Sequence, residues 1–478
     1  MFENVLGQAA AAQLVKDIET GFLAPAMLFS GPHASGKGTA ALELGRVISC
    51  EAGTANWNCQ CPSCGRHRLL LHPDLLCLGP RSFSAEIAAG AGAFLRETAA
   101  SPETGNAASR LLFIRAVRKL LARFNPVLWE DEPRKGKIAI APLVNSLEED
   151  LDELELLVPH AGAVENQAGN PVKNPVENRD ALVKLTEGML KSAFKLESEG
   201  MSETIPIDQI RRAAWWGRLA PAGRGKLLII ENADRMQNEA RNSLLKLLEE
   251  PSARLTVALT TVRPGSLLPT VLSRLRPYRF GARTAAVEAE VIRRIFKDKQ
   301  ETGIGAYLDS FLPVSALTLK ALAAFFAASA AYKAVLLSRK QGCAVSDEVV
   351  LLGKLTAPLA EAAGLGRPRG EAAAVTALIL ERAAKFEIRS LFSRFLASLL
   401  ELVSLNDRRA GFEGNGAFPF LPSVPYNELW KKCSAWGETA MVSYKLAPAL
   451  VLEKLFTDLS RGMASLPEGS TLPGGSAL

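Results

Sequence analysis

The sequence lacks an apolar run long enough to cross a membrane. Its best candidate, Ala321–Tyr332 (ALAAFFAASAAY), stops after 12 residues between Lys320 and Lys333, whereas a helical span takes about 20. A secretory leader is also missing, because MFENVLGQ has neither a basic n-region nor an apolar h-region. Both absences predict a cytoplasmic protein with no membrane partner. Charge of one sign is scarcely in excess: Lys plus Arg total 56 against 50 Asp plus Glu, a net +6. That balance permits contact with nucleic acid without demanding it. No internal repeat is present. The 478 residues allow three domains at about 150 residues each. Apolar residues at 48% and charged residues at 22% exclude wholesale disorder, collagen and a simple coiled coil.

What is there is organised by short apolar runs. Ala26–Ser30 (AMLFS), Lys226–Ile230 (KLLII) and Leu255–Thr261 (LTVALTT) read as buried strands. Helical spacing follows the first at Thr39–Ile48 and the second from about Gln237 to Glu250, ended by Pro251. Strands alternating with helices predict a parallel, helix-covered sheet. After Phe280 the chain reads as almost wholly helical up to Arg461, and the Pro/Gly/Ser-rich tail Ser465–Leu478 reads as disordered. An interruption of different texture fills about 80–204. It holds a basic amphipathic stretch, Arg110–Phe124, an acidic one, Leu147–Leu157, and a polar linker, Pro159–Asp180. Two surface helices, packed on the domain or on each other, are the plainer expectation. Arg115, Arg118, Lys119 and Arg123 are the candidates for DNA contact if the segment is an arm.

Three motifs carry chemistry. Gly31–Thr39 (GPHASGKGT) stands between a strand and a helix, the context of a phosphate-binding loop. There Gly31 and Gly36 let the backbone curl around phosphate and Lys37 reaches the β- and γ-phosphates. Position 38, where a Ser or Thr hydroxyl normally holds Mg²⁺, is Gly38. Thr39 lies roughly 100° further round the helix and does not simply replace it. Lys226–Met236 (KLLIIENADRM) ends its strand on Glu231–Asn232, where a P-loop ATPase has a metal-holding acid and then usually a Glu that activates water. Asn232 takes no proton, and loss of a general base costs about 10²–10⁴-fold in rate. Both departures damage the same reaction, and they leave ATP binding open.

Seven cysteines stand in a chain expected where disulfides are rare. Cys50, Cys59, Cys61 and Cys64 fall within 15 residues, and four thiolates satisfy a structural, tetrahedral Zn²⁺. The Cys59–Cys61 step is tighter than the usual gap, which leaves His67 and His72 as substitute ligands. Cys77, Cys343 and Cys433 read as core fillers.

Taken in order, these segments resemble the AAA+ subunits of the bacterial DNA polymerase III clamp loader. FENVLGQAAAAQLVKDIETG looks like the family's N-terminal region, AMLFSGPHASGK its P-loop, and the four-Cys module after the P-loop helix a family trait, followed by His72–Leu75 (HPDL). IPIDQIRR, IIENADRM, NEARNSLLKLLEEP and LLPTVLSR complete the series. The resemblance covers about residues 1–80 and 205–280. It is weaker over the helical half, where VSYKLAPALVLEKLF is similar to the last collar helix.

It implies an α/β P-loop (AAA+) domain with a parallel sheet over 1–280, a small helical lid over 281–345 and an all-α collar over 346–464. Gly38 and Glu231–Asn232 depart from the gamma/tau ATPase, whereas Ser273–Arg274 is kept, the pattern of the delta-prime kind of subunit. By that resemblance the chain is a non-hydrolysing stator. Arg274 would reach the ATP site of a neighbouring gamma/tau subunit as a trans Arg finger, Leu275 standing where the family usually has Cys. Thr260 and Thr261 occupy the sensor position. The implied partners are gamma/tau and delta subunits, and through them the sliding clamp and primer–template DNA. A gamma/tau-type ATPase and a zinc-dependent DNA-binding module are the competing readings.

Overall fold

In the computed structural model five parallel strands form one sheet: β1 (Ala26–Ser30), β2 (Leu75–Leu78), β3 (Lys226–Ile230), β4 (Leu255–Thr261) and β5 (Arg276–Arg279), in the order β2-β3-β4-β1-β5. The residues described are 1–80, 83–100, 107–129, 134–157, 175–202, 204–250, 252–312, 314, 316–383, 388–409, 424–443 and 446–466. Pro251, the tail beyond Leu466 and most of the expected linker lie outside them, although a helix at Pro175–Gly200 covers the linker's last residues.

β1, β2 and β3 are buried along their whole length, as parallel strands covered on both faces must be. Successive side chains point to opposite faces, so each strand feeds two cores. Met27, Phe29, Leu227, Ile229 and Ala258 pack with the helices Ala9–Glu19 and Lys37–Ile48. Leu28, Leu228, Ile230, Val257 and Leu259 pack with Ile207–Arg218 and Asn238–Glu249. Phe29 lies level with Thr260 on one side and Tyr278 on the other.

The segment between β2 and β3 is more than two surface helices. Ser84–Ala100, Ala107–Leu121, Arg134–Leu157 and Pro175–Gly200 are helical and enclose a core of their own, including Phe94, Phe113, Val117, Leu147, Leu151 and Leu196. Buried Glu197 fastens this bundle, accepting the N–H groups of Phe83 (2.9 Å) and Ser84 (2.8 Å) at the start of the first helix, where a carboxylate satisfies orphan donors and the helix dipole together. The short helices Ala285–Ile295 and Ile304–Ser310 also belong here, with Ile292, Phe296 and Tyr307 packed on Ala89 and Ala93.

The chain divides into two compact units, Met1–Leu312 and Pro313–Leu478. In the second, the apolar run around Ala321–Tyr332 is the middle of a longer helix, Ala316–Gln341. By length and composition that helix is long and apolar enough to cross a membrane, which corrects the twelve-residue reading, because the helix continues past Lys320 and Lys333. Here its apolar residues form the unit's own core. Phe326 is fully buried and meets Phe395 and Phe456 edge-on, with centroids 5.6 and 5.7 Å away. Among the scattered cysteines Cys77 and Cys433 are buried as expected, but Cys343 is exposed at the turn after this helix. Phe326→Ala is expected to cost the second unit about 3–5 kcal/mol, the range for deleting a buried aromatic ring. Chemical denaturation followed by helical circular dichroism reads it as a lowered midpoint.

Candidate nucleotide loop and cysteine centre

The loop Gly31–Gly36 runs from the carboxyl end of β1 into the helix Lys37–Ile48. Two glycines are obligatory. A Cβ on Gly31 would stand 2.1 Å from the carbonyl oxygen of Phe280, and Gly36 caps the helix with φ at 91°, a left-handed conformation.

Lys37 does not point outward. Its Nζ is buried and donates to the carbonyls of Gly31 (2.7 Å) and Pro32 (2.5 Å) and to Ser35 Oγ (3.2 Å). Burial, opposed by Asp234 and assisted by Arg283, brings its pKa down to about 8. Arg283 holds the loop from the other side, donating to the carbonyls of Leu6 (3.1 Å) and Ala34. The loop's own carbonyls thus take the protons a phosphate would accept.

Glu231 follows β3, and a Cβ on Gly38 would lie 3.2 Å from its Oε1. The two positions expected to hold a metal therefore do face each other. Oε2 is paired with Nη2 of Arg123 at 2.7 Å. Burial pushes the Glu231 carboxyl up, but Arg123 and then Lys119 outweigh it and hold it below the usual range. Asn232 adopts a left-handed backbone, φ 51°, and donates its N–H to Thr260 Oγ1 at 3.1 Å. Thr261 Oγ1 donates to Asp234 at 2.7 Å. The two threonines brace the strand ends. Thr39 is half-buried one residue further along the helix.

The candidates for DNA contact face inward. Arg115 donates to the carbonyl of Arg68 at 2.6 Å, Arg118 pairs with Glu155 at 3.4 Å, Lys119 pairs with Glu86 at 2.7 Å, and Arg123 pairs with Glu231. The amphipathic stretch is basic because its charges meet acids and carbonyls inside the unit. Arg283 carries no motif, and Asp234 lies within KLLIIENADRM without a role read for it. Only the tertiary contacts bring them to the loop.

The four cysteines converge. All their sulfurs lie within 4.8 Å of one another, and Cys50 and Cys59 are 3.7 Å apart. Tetrahedral zinc with bonds of about 2.3 Å sets sulfurs about 3.8 Å apart, so the donor set fits a closed structural Zn²⁺. The tight Cys59–Cys61 step does not prevent it, because Cys61 is the N-cap of the helix Pro62–Arg68 and its sulfur accepts the N–H of Cys64 at 3.5 Å. Burial raises the Cys61 thiol, yet backbone donors at Cys64, Ala52 and Glu51 bring it down to about 6.

His67 and His72 do not join the cluster. They stack on each other at 4.1 Å, with Ser63 and the Asp74 N–H on the nitrogens of His72. Both nitrogens of His67 are buried without a partner among the described residues. Trp57, in the cysteine loop, has Arg46 and Arg115 over its ring at 5.7 and 5.4 Å.

Arg274 lies apart from these groups, on the exposed turn after the short helix Pro269–Leu272. It donates to the carbonyl of Thr270 and to Glu249 Oε1, both at 2.8 Å.

A Gly-rich loop between β1 and a helix, facing an acid at the end of β3, defines a P-loop-type α/β protein whose loop lysine is held by the loop's own carbonyls. The chain belongs to the family described as DNA polymerase III, delta subunit, which matches residues 7–125 and 129–284, more than half its length. It is 34% identical over 116 residues to DNA polymerase III subunit delta' of Pseudomonas aeruginosa, 24% of this chain and 35% of that protein. It is 47% identical over 55 residues to subunit delta' of Bacillus subtilis strain 168, 12% of this chain and 17% of that one. The matches thus span about a third and a sixth of these relatives. A gamma subunit-related protein from Thermotoga maritima aligns at 20% identity and a TM-score of 0.23, over 55% of this chain and 81% of its own.

The purified chain is expected to hold one zinc ion, and Cys64→Ser to bind zinc at least about tenfold more weakly, read by metal release to a chromogenic chelator. Burial, then the neighbouring His72 and Arg46, brings His67 down to about 3, whereas in the unfolded chain it titrates at about 6.5. The stability from keeping it neutral is full above pH 6.5 and is lost as pH falls toward 3. His67→Phe should therefore flatten the decline in stability between those values, measured by urea unfolding across pH.

Proposed function

We propose that this chain is a non-hydrolysing stator of a clamp loader, delta-prime in kind, that supplies Arg274 to an adjacent ATPase subunit and helps load the sliding clamp on primer–template DNA. The observation that carries the reading is the closed loop. Lys37 is spent on its own loop's carbonyls, Gly38 offers no hydroxyl, and Glu231 is paired with Arg123. A chain that has lost hydrolysis has no use for a finger of its own, so the exposed guanidinium of Arg274 fits service to a neighbour, where such a residue neutralises developing phosphoryl charge.

In this reading residues 281–345 supply the lid and residues 346–464 the collar that assembles with gamma/tau and delta subunits. The zinc centre is structural, since four thiolates leave no open position. A zinc-dependent DNA-binding module is disfavoured, because the cations it would use are paired inside the first unit.

Two measurements test the proposal. The purified chain alone should show no Mg²⁺-dependent ATP hydrolysis above that of Lys37→Ala; turnover on the scale of about one per second would place it among the ATPases. In the complex assembled with ATPase subunits, Arg274→Ala should lower turnover at the single site it serves by about 10³-fold or more. Unchanged single-site turnover would remove the finger role.

A further inference from the structure

The P-loop lineage implies a divalent cation beside the phosphate loop, and the residues present here do not fit one. In a working loop a hydroxyl at position 38 and the acid at position 231 would share the metal. The two positions do stand together, a Cβ on Gly38 lying 3.2 Å from Glu231 Oε1. The other carboxylate oxygen, however, already has a cation 2.7 Å away, the guanidinium of Arg123, and neither partner is much exposed (side chains 4% and 16%).

Arg123 is held there deliberately by its surroundings. It sits in the single turn Ala122–Phe124 that ends the helix Ala107–Leu121. Its carbonyl accepts the indole N–H of Trp129 at 2.7 Å, and its guanidinium lies over the ring of Phe83 at 5.1 Å. Lys119, one turn earlier, adds a second positive charge near Glu231 while paired with Glu86. A divalent ion approaching Glu231 would have to displace the Arg123 guanidinium from its carboxylate in a poorly screened setting.

We propose that Arg123 is the resident counter-ion of Glu231 and stands where the divalent cation would, so that a guanidinium, and not only the missing hydroxyl at position 38, excludes metal from this site. The inference rests on the silent-site reading and deepens it by naming the residue that enforces it. It also gives the bundle between β2 and β3 a task, which is to deliver that guanidinium.

The rival account, in which the lost hydroxyl alone silences the site, makes the opposite prediction for Gly38→Ser. The test is a Mn²⁺ titration of the zinc-loaded full chain without nucleotide, read from the paramagnetic resonance of the free ion. The wild type and G38S should take up no more Mn²⁺ than E231Q. The G38S/R123M double variant, in which Met keeps an unbranched side chain without the charge, should take up one further ion, at least about tenfold more tightly than G38S/R123M/E231Q.

Uptake by G38S alone that is lost on adding E231Q would overturn the proposal. So would a folded G38S/R123M that binds no more Mn²⁺ than its E231Q derivative. Where circular dichroism shows G38S/R123M unfolded, G38S/R123K decides: a retained cation should still block uptake, and a Glu231-dependent ion there would overturn the idea. ATP hydrolysis by the wild-type chain would instead sink the silent-site reading, so the two failures are told apart.

Discussion

The ion pair between Arg123 and Glu231 joins parts of the first unit that are far apart in sequence. Glu231 follows β3, which lies between β2 and β4 in the sheet, and Arg123 follows a helix of the bundle between β2 and β3. A buried charge without its partner is costly, by about 3–5 kcal/mol when one member of a pair is removed. The helix Ala107–Leu121 must therefore be seated for the end of β3 to be tolerable. It is seated in the bundle's core through Phe113 and Val117 and tied to the cysteine module, where Arg115 and Arg118 reach the carbonyls of Arg68 and Leu69.

The cysteine module is tied in turn to the phosphate-loop helix. Arg46, near the end of that helix, is almost wholly buried, pairs with Glu43 and donates to the carbonyls of Ala55 and Asn56 and to Cys64 Sγ. Trp57 lies between Arg46 and Arg115. Arg68, in the helix that Cys61 starts, donates to the carbonyls of Trp57 and Cys59. The cysteine cluster thus lies in a loop that both helices use, and Arg46 ties that loop to the phosphate-loop helix.

Legibility followed the length of the apolar run. β1, β3 and β4 are continuous apolar runs and were visible as such. β2 is only four residues, and β5, Arg276–Arg279, reads RPYR with no apolar pattern at all. Pro277 is tolerated because β5 is an edge strand, and the strand is held by its neighbours: Tyr278 is packed beside Phe29 and donates to Asp17 at 2.6 Å, and Arg276 pairs with the same carboxylate. Such a strand exists by pairing, which no local window contains. The bundle's basic stretch misled in the same way, since charge on a helix face looks alike whether its partners are phosphates or buried carboxylates.

The amino-acid sequence by itself determined the parallel sheet, the loop between β1 and its helix, the four cysteines and the departures at Gly38 and Asn232. These are local features, fixed by residue type and by spacing of a few positions. Only the tertiary structure decided that Lys37 turns back on its own loop, that Arg283 closes it, and that Arg123 meets Glu231. Those contacts span up to 277 residues of chain. They depend on where burial places each charge, because a charge taken from water must find whatever partner the fold brings within reach.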